Sequence, residues 1–398
     1  MKRIVFYVKH LAMLPAWVDP VAPFLIDSGY DIVVLHASTL NRDTAGKPTR
    51  GKVPYTCIEI GDKDMAGIVG VIEELKPLAI IMFTFRSLFD LLLVRVARHC
   101  SAPSVYVQHG FHISTKFQMA DKKASLIRYY NFVKWYVYFL FIIKRSDLIH
   151  ELSLIYRAMF KIDYAKTRFD YALFYSPGGL KDAAQYFDFE PSQAFFSGYP
   201  LSQKADDVKR LLGRSRRHKS RRIVYVHQPF ILDRFTHIDH TREFAFLDNI
   251  ATICQEREYE FVIKIHPRES PARYTSGLRN RSAVIETSTT MTDILTDCAV
   301  VIGHFSTALF TGILLGKPII VMDYPGLDNF YYSLFEPVAF RVHNEKDLDR
   351  VLKNGDICRH READYEHFIH EHIGQHNNCE HRASTIAAIV EGAAIRSV

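Results

Sequence analysis

The sequence predicts an α/β protein made of two parallel-sheet domains that face each other across a cleft. Short apolar runs typical of buried strands alternate with helical segments in both halves of the 398-residue chain. The alternation is interrupted from about 118 to 200 and again over the polar, basic stretch 204–221. A chain of this length also suits two domains of ordinary size.

The alternation of strands and helices in the first half is typical of a doubly wound sheet. Its connections are short, which favours parallel strands with helices on both faces. We therefore assign 1–203 to an N-terminal Rossmann-like domain, with an aromatic helical insertion at about 118–165. The predicted strands are 3–8, 31–35, 56–60, 78–84 and 104–108, and the predicted helices are 18–28, 66–75 and 88–99.

The same alternation of strands and helices resumes after a basic linker, 204–221. We assign 222–380 to a C-terminal Rossmann-like domain and expect a last helix, 381–398, to cross back to the first domain. The predicted strands are 222–226, 260–265, 283–286, 299–302, 319–322 and 337–342, and the predicted helices are 242–256, 290–296, 308–316, 347–352, 362–372 and 381–394.

Composition excludes several classes of protein. A formal net charge of +6 suits an anionic substrate or a lipid surface, but it is too weak to indicate nucleic acid as a partner. The six cysteines show no CxxC spacing, and the N-terminus runs directly into a strand without a signal-peptide pattern. We therefore expect reduced cysteines and a cytoplasmic location.

Polar side chains follow four of the predicted strands. Ligands of open α/β sheets bind beyond the carboxyl ends of the strands. A single histidine there would more often be a structural hydrogen-bonding group, but four polar strand ends together favour a ligand site. These residues are His109, His227 with Gln228, His266 to Arg268, and Gly303 with His304, Ser306 and Thr307.

The segment after Gly303 has the chemistry of a phosphate site. A buried strand ends there, and Ser306 and Thr307 directly precede a predicted helix. Backbone N–H groups and hydroxyls at a helix start suit a phosphate group. The alternative interpretation is that one of the two hydroxyls only caps the helix.

Two motifs resemble those of a known group of enzymes. The stretch IKIHPRES (263–270) and the stretch GHFSTALFTGILLGKPIIV (303–321) resemble the HP and Ser/Thr motifs of bacterial sialyltransferases and polysialyltransferases. The wider group includes the CDP-glycerol glycerophosphotransferases of teichoic acid synthesis. Weaker similarity to that group continues at 106–116, at 195–200 and at 372–385, where Arg382 takes the arginine position.

The resemblance implies a GT-B fold, with the donor nucleotide in the C-terminal domain and the acceptor toward the N-terminal one. It also implies a cytidine-nucleotide donor and neither metal nor cofactor. By the same resemblance His266 and Pro267 contact the donor phosphate, and Ser306 and Thr307 hold it. Such donors stabilise the charge that develops on a departing nucleotide. Gln228, Lys264, Arg268 and Gly303 complete the predicted nucleotide site.

The general base has several candidates. An inverting transfer needs one group that accepts the proton of the acceptor hydroxyl. Resemblance to the glycerophosphotransferases points to His109. The sialyltransferases use an acidic residue instead, for which Asp239, Asp233, Glu243 and Asp19 are the alternatives.

We therefore expect an inverting, metal-independent glycosyltransferase of bacterial capsule or lipopolysaccharide synthesis. Its donor would be a CMP-activated sugar of the sialic acid or Kdo kind, and its acceptor a glycan or a lipid-linked glycan. The alternatives are a CDP-glycerol-type polyol-phosphate transferase, a UDP-sugar transferase or epimerase of the same fold, and, from another class, a non-catalytic scaffold.

The aromatic segment 126–145 has two interpretations. It is too short and too often interrupted by charge to span a bilayer. It is either a helix buried in the protein or an interfacial helix with aromatic and basic anchors. The second interpretation would add peripheral contact with the inner face of the plasma membrane.

Overall fold

The computed structural model describes residues 2–40, 53–85, 88–110, 169–184, 190–217, 220–232, 236, 238–266, 269–304, 306–325, 332–354 and 362–396. These residues form two compact units, each with its own parallel sheet and core. The first holds the described residues up to 110, then 169–200, and the C-terminal helix from Cys379. The second runs from Leu201 to Asn378. The predicted α/β class with two parallel-sheet domains is confirmed.

The described residues of the first unit form a seven-stranded sheet in which every pairing is parallel. The order is β3-β2-β1-β4-β5-β6-β7. Most of these strands are continuous apolar runs because helices cover both faces of the sheet. Their bounds are β1 Lys2–Val8, β2 Tyr30–His36, β3 Thr56–Glu59, β4 Ala79–Met82, β5 Ser104–Val107, β6 Tyr171–Phe174 and β7 Ala194–Phe196.

Helices connect these strands, and the last helix of the chain packs on the same sheet. Ile386 and Val390 of that last helix share a core with Ile4 and Phe6 of β1. Lys2 also forms a 2.9 Å ion pair with Glu391. The helices are α1 Leu14–Trp17, α2 Ala22–Asp27, α3 Met65–Leu75, α4 Leu88–His99, α5 Pro177–Ala183 and, at the end of the chain, α14 Cys379–Arg396.

The described residues of the second unit form a six-stranded parallel sheet of order β10-β9-β8-β11-β12-β13. Consecutive strands fill one side of β8 first, and the chain then crosses to the other side at β11. The strands are β8 Arg222–Val226, β9 Glu260–Lys264, β10 Val284–Glu286, β11 Val300–Gly303, β12 Ile319–Met322 and β13 Ala339–Val342.

The helices of the second unit include three that the sequence did not predict, Ala205–Arg217, Pro271–Gly277 and Tyr332–Phe335. The second of these is short and polar, so it carries no apolar period. The helices are α6 Ala205–Arg217, α7 His240–Glu256, α8 Pro271–Gly277, α9 Met291–Thr296, α10 Ala308–Leu314, α11 Tyr332–Phe335, α12 Glu345–Asn354 and α13 Glu362–Phe368.

The structure differs from the sequence prediction over the basic stretch 204–221. Most of this expected linker is helix α6, which belongs to the second unit. Ser215 is buried, and its Oγ donates a 2.8 Å hydrogen bond to the carbonyl of Leu315. Nζ of Lys317 donates to the carbonyl of Ser215 at 3.4 Å and to that of Cys298 at 2.9 Å. These long-range contacts make the segment part of a domain.

The aromatic segment 126–145, with its two interpretations, lies outside the described residues. Within the part of the chain that the structure describes, no helix combines the length and the apolar character needed to cross a membrane.

Candidate functional site

Three neighbouring strands of the second unit end together at one edge of its sheet. Val226 of β8 is in register with Lys264 of β9, and Tyr225 pairs with Ile302, one residue before the end of β11. Neighbouring strands lie about 4.8 Å apart. The chain reverses its direction of winding between β8 and β11, which is where open α/β sheets bind their ligands.

The structure brings most of the predicted nucleotide-site residues to this edge. Gln228 follows β8, His266 follows β9, and Ser306 and Thr307 follow β11, all four half-buried. Lys264 and Gly303 are the last residues of their strands and are buried. Pro267 and Arg268 lie outside the described residues.

Ser306 and Thr307 differ in how their hydroxyls are used. Oγ of Ser306 accepts a 3.2 Å hydrogen bond from the backbone N–H of Ala308, the first residue of α10. Thr307 is the N-cap residue, but its side chain makes no capping hydrogen bond. Ser306 thus has the structural role that the alternative interpretation assigned to one hydroxyl, whereas the Thr307 hydroxyl takes no part in the cap.

Gly303 is explained by packing. A Cβ atom at this position would lie 2.8 Å from Cδ2 of Leu309, on the helix that follows. This is closer than carbon atoms approach in well-packed cores. A larger residue at this position would therefore require the Leu309 side chain to move.

Lys264 places a cation at the edge between β9 and β10. Its side chain is largely buried, and this desolvation lowers the pKa of the ammonium group, while the charge of Glu286 acts in the opposite sense. Glu286 occupies the neighbouring position in register. Backbone N–H groups, Thr289 first, hold the pKa of the Glu286 carboxyl down to about 2. Glu286 is thus charged at neutral pH, and its charge favours the ammonium form of Lys264.

Two of the histidines that predicted a ligand site are buried structural groups. His227 and His304 are 3% and 0% exposed. Nε2 of His227 lies 2.9 Å from Glu243 Oε1, and Nε2 of His304 lies 2.6 Å from the phenol of Tyr225. Both imidazoles support this edge of the sheet from within the protein.

Glu243 does not fit the role of general base. Its side chain is 1% exposed, and both carboxylate oxygens are occupied. Oε1 faces His227 and accepts from Tyr324 Oη at 2.7 Å, while Oε2 lies 3.0 Å from His240 Nδ1. Burial acts to raise the pKa of this carboxyl, but the hydrogen bonds from His227, Tyr324 and His240 together lower it. The carboxylate is therefore charged, buried and shielded from an acceptor.

The other acidic candidates have different surroundings. Asp239 is exposed and is the N-cap of α7, where its Oδ1 accepts a 2.9 Å hydrogen bond from the N–H of Arg242. Asp19 lies in the first unit and accepts a hydrogen bond from the phenol of Tyr55. Asp233 lies outside the described residues.

His109 follows β5 in the first unit. Its ring centre lies 4.2 Å from that of Trp17. The preceding residue, Gln108, is buried: its Nε2 donates to the carbonyl of Gly110 and its Oε1 accepts from the N–H of Tyr175. The backbone on either side of His109 is thereby held in place.

The sequence did not predict Glu269, Arg273, Tyr274 and Tyr324 as site residues. Glu269 stands in the same motif as His266, and its N–H donates a 2.8 Å hydrogen bond to the His266 carbonyl. Its place in that motif was the one sequence feature that could have identified Glu269 as a site residue. Among the described residues, no group of three or more His, Cys, Asp or Glu side chains is arranged to hold a metal ion.

The chain resembles solved structures over its whole length. The wall teichoic acid polymerase TagF is 12% identical, with a TM-score of 0.57 over 100% of this chain and 90% of that chain. The two-domain fold is that of the GT-B glycosyltransferases. Phytolacca americana UGT2 with UDP-2fluoro-glucose and pterostilbene is 13% identical, with a TM-score of 0.54 over 98% of this chain and 100% of that one. The spinosyn forosaminyltransferase SpnP is 12% identical, with a TM-score of 0.56 over 98% of this chain and 99% of that one. Neither a protein-family model nor a curated protein matches the chain.

Proposed function

We propose that this protein is an inverting, metal-independent glycosyltransferase that uses a CMP-activated sugar in the synthesis of a bacterial surface polysaccharide. The second unit binds the donor nucleotide, and the acceptor is a glycan or a lipid-linked glycan. The reaction needs no cofactor besides this activated substrate. The protein works in the cytoplasm, with peripheral contact at the inner membrane face through 126–145.

One observation carries the proposal: polar groups converge where β8, β9 and β11 end. Gln228, Lys264, His266, Ser306 and Thr307 supply an amide, a cation, an imidazole and two hydroxyls at the switch point of the sheet. A departing nucleotide develops negative charge, and donors that are already in place stabilise it without reorganisation. Solved structures with this fold are glycosyltransferases, which supports the reaction class.

A CDP-glycerol-type polyol-phosphate transferase is the second candidate. It is favoured by the similarity to TagF, one structure of which was soaked with CDPG; that structure is 13% identical, with a TM-score of 0.58. The same edge of the sheet would serve it, because CDP and CMP present a phosphate attached to the same nucleoside. The two candidates differ in the group that is transferred.

A thermal-shift screen of CMP, CDP, UDP and GDP tests the donor class. We expect the cytidine nucleotides to raise the melting temperature, because ligand that binds only the folded state stabilises it by mass action. Stabilisation by UDP alone would replace the proposal with a UDP-sugar transferase. Binding without turnover over a panel of activated donors would favour a scaffold.

The His266→Ala variant tests the catalytic assignment in a transfer assay with radiolabelled donor. We expect transfer to be abolished while the circular dichroism spectrum is retained, because His266 is half-buried in a loop and outside the sheet. Full activity in this variant would reject the assignment. His109→Asn tests the proposed base in the same assay, with loss of transfer and retained nucleotide binding as the expected result.

A further inference from the structure

A ring of hydrogen-bonded side chains, closed through the adjacent residues Arg273 and Tyr274, is attached to the His266 loop in the second unit. Nε2 of His227 lies 2.9 Å from Glu243 Oε1 and 3.0 Å from the phenol oxygen of Tyr274. Arg273, the residue before Tyr274 in α8, lies 3.2 Å from the carboxylate of Glu269. The ring closes through His240, which lies 3.1 Å from Arg273 and 3.0 Å from Glu243.

The ring joins four separate pieces of the chain. His227 follows β8, His240 and Glu243 lie in the first turn of α7, Arg273 and Tyr274 belong to α8, and Glu269 belongs to the loop after β9. Tyr324, which follows β12, attaches to the ring through Glu243. The His266 loop is thus connected by hydrogen bonds to residues that follow β8 and β12 and to helices α7 and α8.

Hydrogen-bond chemistry determines the direction of donation around His240. A guanidinium group can only donate, so Nε2 of His240 accepts from Arg273. Nδ1 therefore carries the proton and donates to Glu243 Oε2. Both ring nitrogens are thus occupied, although 33% of the side chain is exposed.

The two carboxylates of this network, Glu243 and Glu269, are both buried. The Glu243 and Glu269 side chains are 1% and 2% exposed, so their oxygens depend on hydrogen-bond partners within the protein. A satisfied buried network of this kind is rigid, since any rotation leaves a charge without a partner. Glu269 transmits this rigidity to His266, because its backbone N–H is bonded to the His266 carbonyl.

We propose that Glu269, held by the ring through Arg273, is a positioning residue that orients His266 toward the donor phosphate. This inference rests on the proposed function, since it needs a nucleotide in the second unit. Glu243 acts indirectly: it binds His227 and His240 and so keeps the ring closed. Neither carboxylate touches the donor.

A double-mutant cycle on nucleotide binding tests this. Calorimetry gives the Kd of CMP and of cytidine for the wild type, Glu269→Gln, His266→Ala and the double variant. We expect Glu269→Gln to weaken CMP binding about tenfold and cytidine binding by less than about twofold, because only CMP carries the phosphate that His266 faces. In the His266→Ala background the second substitution should change CMP binding by less than about twofold.

The possible results separate the inference from the proposed function. Equal losses for CMP and cytidine, or full additivity in the cycle, would reduce Glu269 to a structural role and overturn the inference. A wild-type protein that binds neither compound and no other nucleotide would overturn the proposed function itself. If UDP is the nucleotide that binds in the thermal-shift screen, the cycle is run with UDP and uridine.

Two further variants complete the experiment: a control outside the network and a second variant within it. Glu256→Gln alters an exposed carboxylate at the other end of α7 and should leave both Kd values unchanged. Glu243→Gln should weaken CMP binding more than cytidine binding as well, since it opens the ring. If Glu243→Gln fails to fold, Glu269→Gln alone decides, because its side chain lies in a loop at the end of the network.

Discussion

The phenol oxygen of Tyr225 lies 2.6 Å from Nε2 of His304, and both side chains are fully buried beside β11. The other ring nitrogen, Nδ1, donates to the carbonyl of Met322. Nε2 must therefore accept from the phenol, so the imidazole is neutral. Desolvation by burial accordingly lowers the pKa of His304 to about 3.

This pKa makes the stability of the protein depend on pH. The unfolded chain protonates His304 below its ordinary pKa near 6.5, whereas the folded protein resists protonation down to about 3. Stability is therefore fully present above pH 6.5 and decreases as the pH falls toward 3. Between pH 6.5 and 5 this one group removes about 2 kcal/mol from the free energy of unfolding.

Urea denaturation at pH 7, 6 and 5 measures the effect. We expect His304→Gln to be less stable at pH 7, because it loses a buried hydrogen bond, but to lose less stability on acidification than the wild type. The exposed His367→Gln variant should follow the wild-type curve. Parallel curves for His304→Gln and the wild type would show that the imidazole is accessible to protons.

Helix α6 gives a second prediction, at Ser215. Its buried hydroxyl donates to the carbonyl of Leu315, so Ser215→Ala leaves that carbonyl without its donor. We expect a loss of about 1–2 kcal/mol in the free energy of unfolding. Ser384→Ala removes an exposed hydroxyl that bonds within its own helix, and it should cost less than about 0.5 kcal/mol. Equal effects would mean that α6 behaves as a solvated connection.

Variants of Thr307 and Ser306 distinguish a role in nucleotide binding from a role in capping helix α10. Thr307→Val removes a hydroxyl that caps nothing, so we expect a change in stability below about 0.5 kcal/mol. CMP binding should weaken about tenfold, as for a lost hydrogen bond to a charged group. Ser306→Ala should reduce both stability and CMP binding. Unchanged CMP affinity in Thr307→Val, measured by calorimetry, would remove Thr307 from the nucleotide site.

Asp239 caps the longest helix described in the second unit. Asp239→Ala should cost about 1 kcal/mol of stability, and Asp239→Asn only a few tenths, because asparagine also accepts the Arg242 N–H bond. Thermal unfolding of the two variants beside Glu256→Ala, an exposed change in the same helix, measures the difference. A large loss in Asp239→Asn would mean that the carboxylate charge, and not the cap, is what the protein uses.

The strands of the second sheet could be predicted because burial on both faces demands continuous apolar runs. The predicted strand 319–322 matches β12, and 299–302 differs from β11 by one residue. Helix α6 could not be predicted in the same way, since its many charges are typical of a solvated surface. What makes it part of a domain is Ser215, whose partner lies 100 residues away in the sequence.

The sequence by itself determined the α/β class, the two sheets and which strand ends carry polar groups, because these depend on local apolar periodicity and on short motifs. Only the tertiary structure decided that His227, His304 and Glu243 are buried while Thr307 has a hydroxyl outside the cap. The reason is the order of the strands. Tyr324 meets Glu243 across 81 residues because β12 lies two strands from β8, a neighbour relation that no local pattern contains.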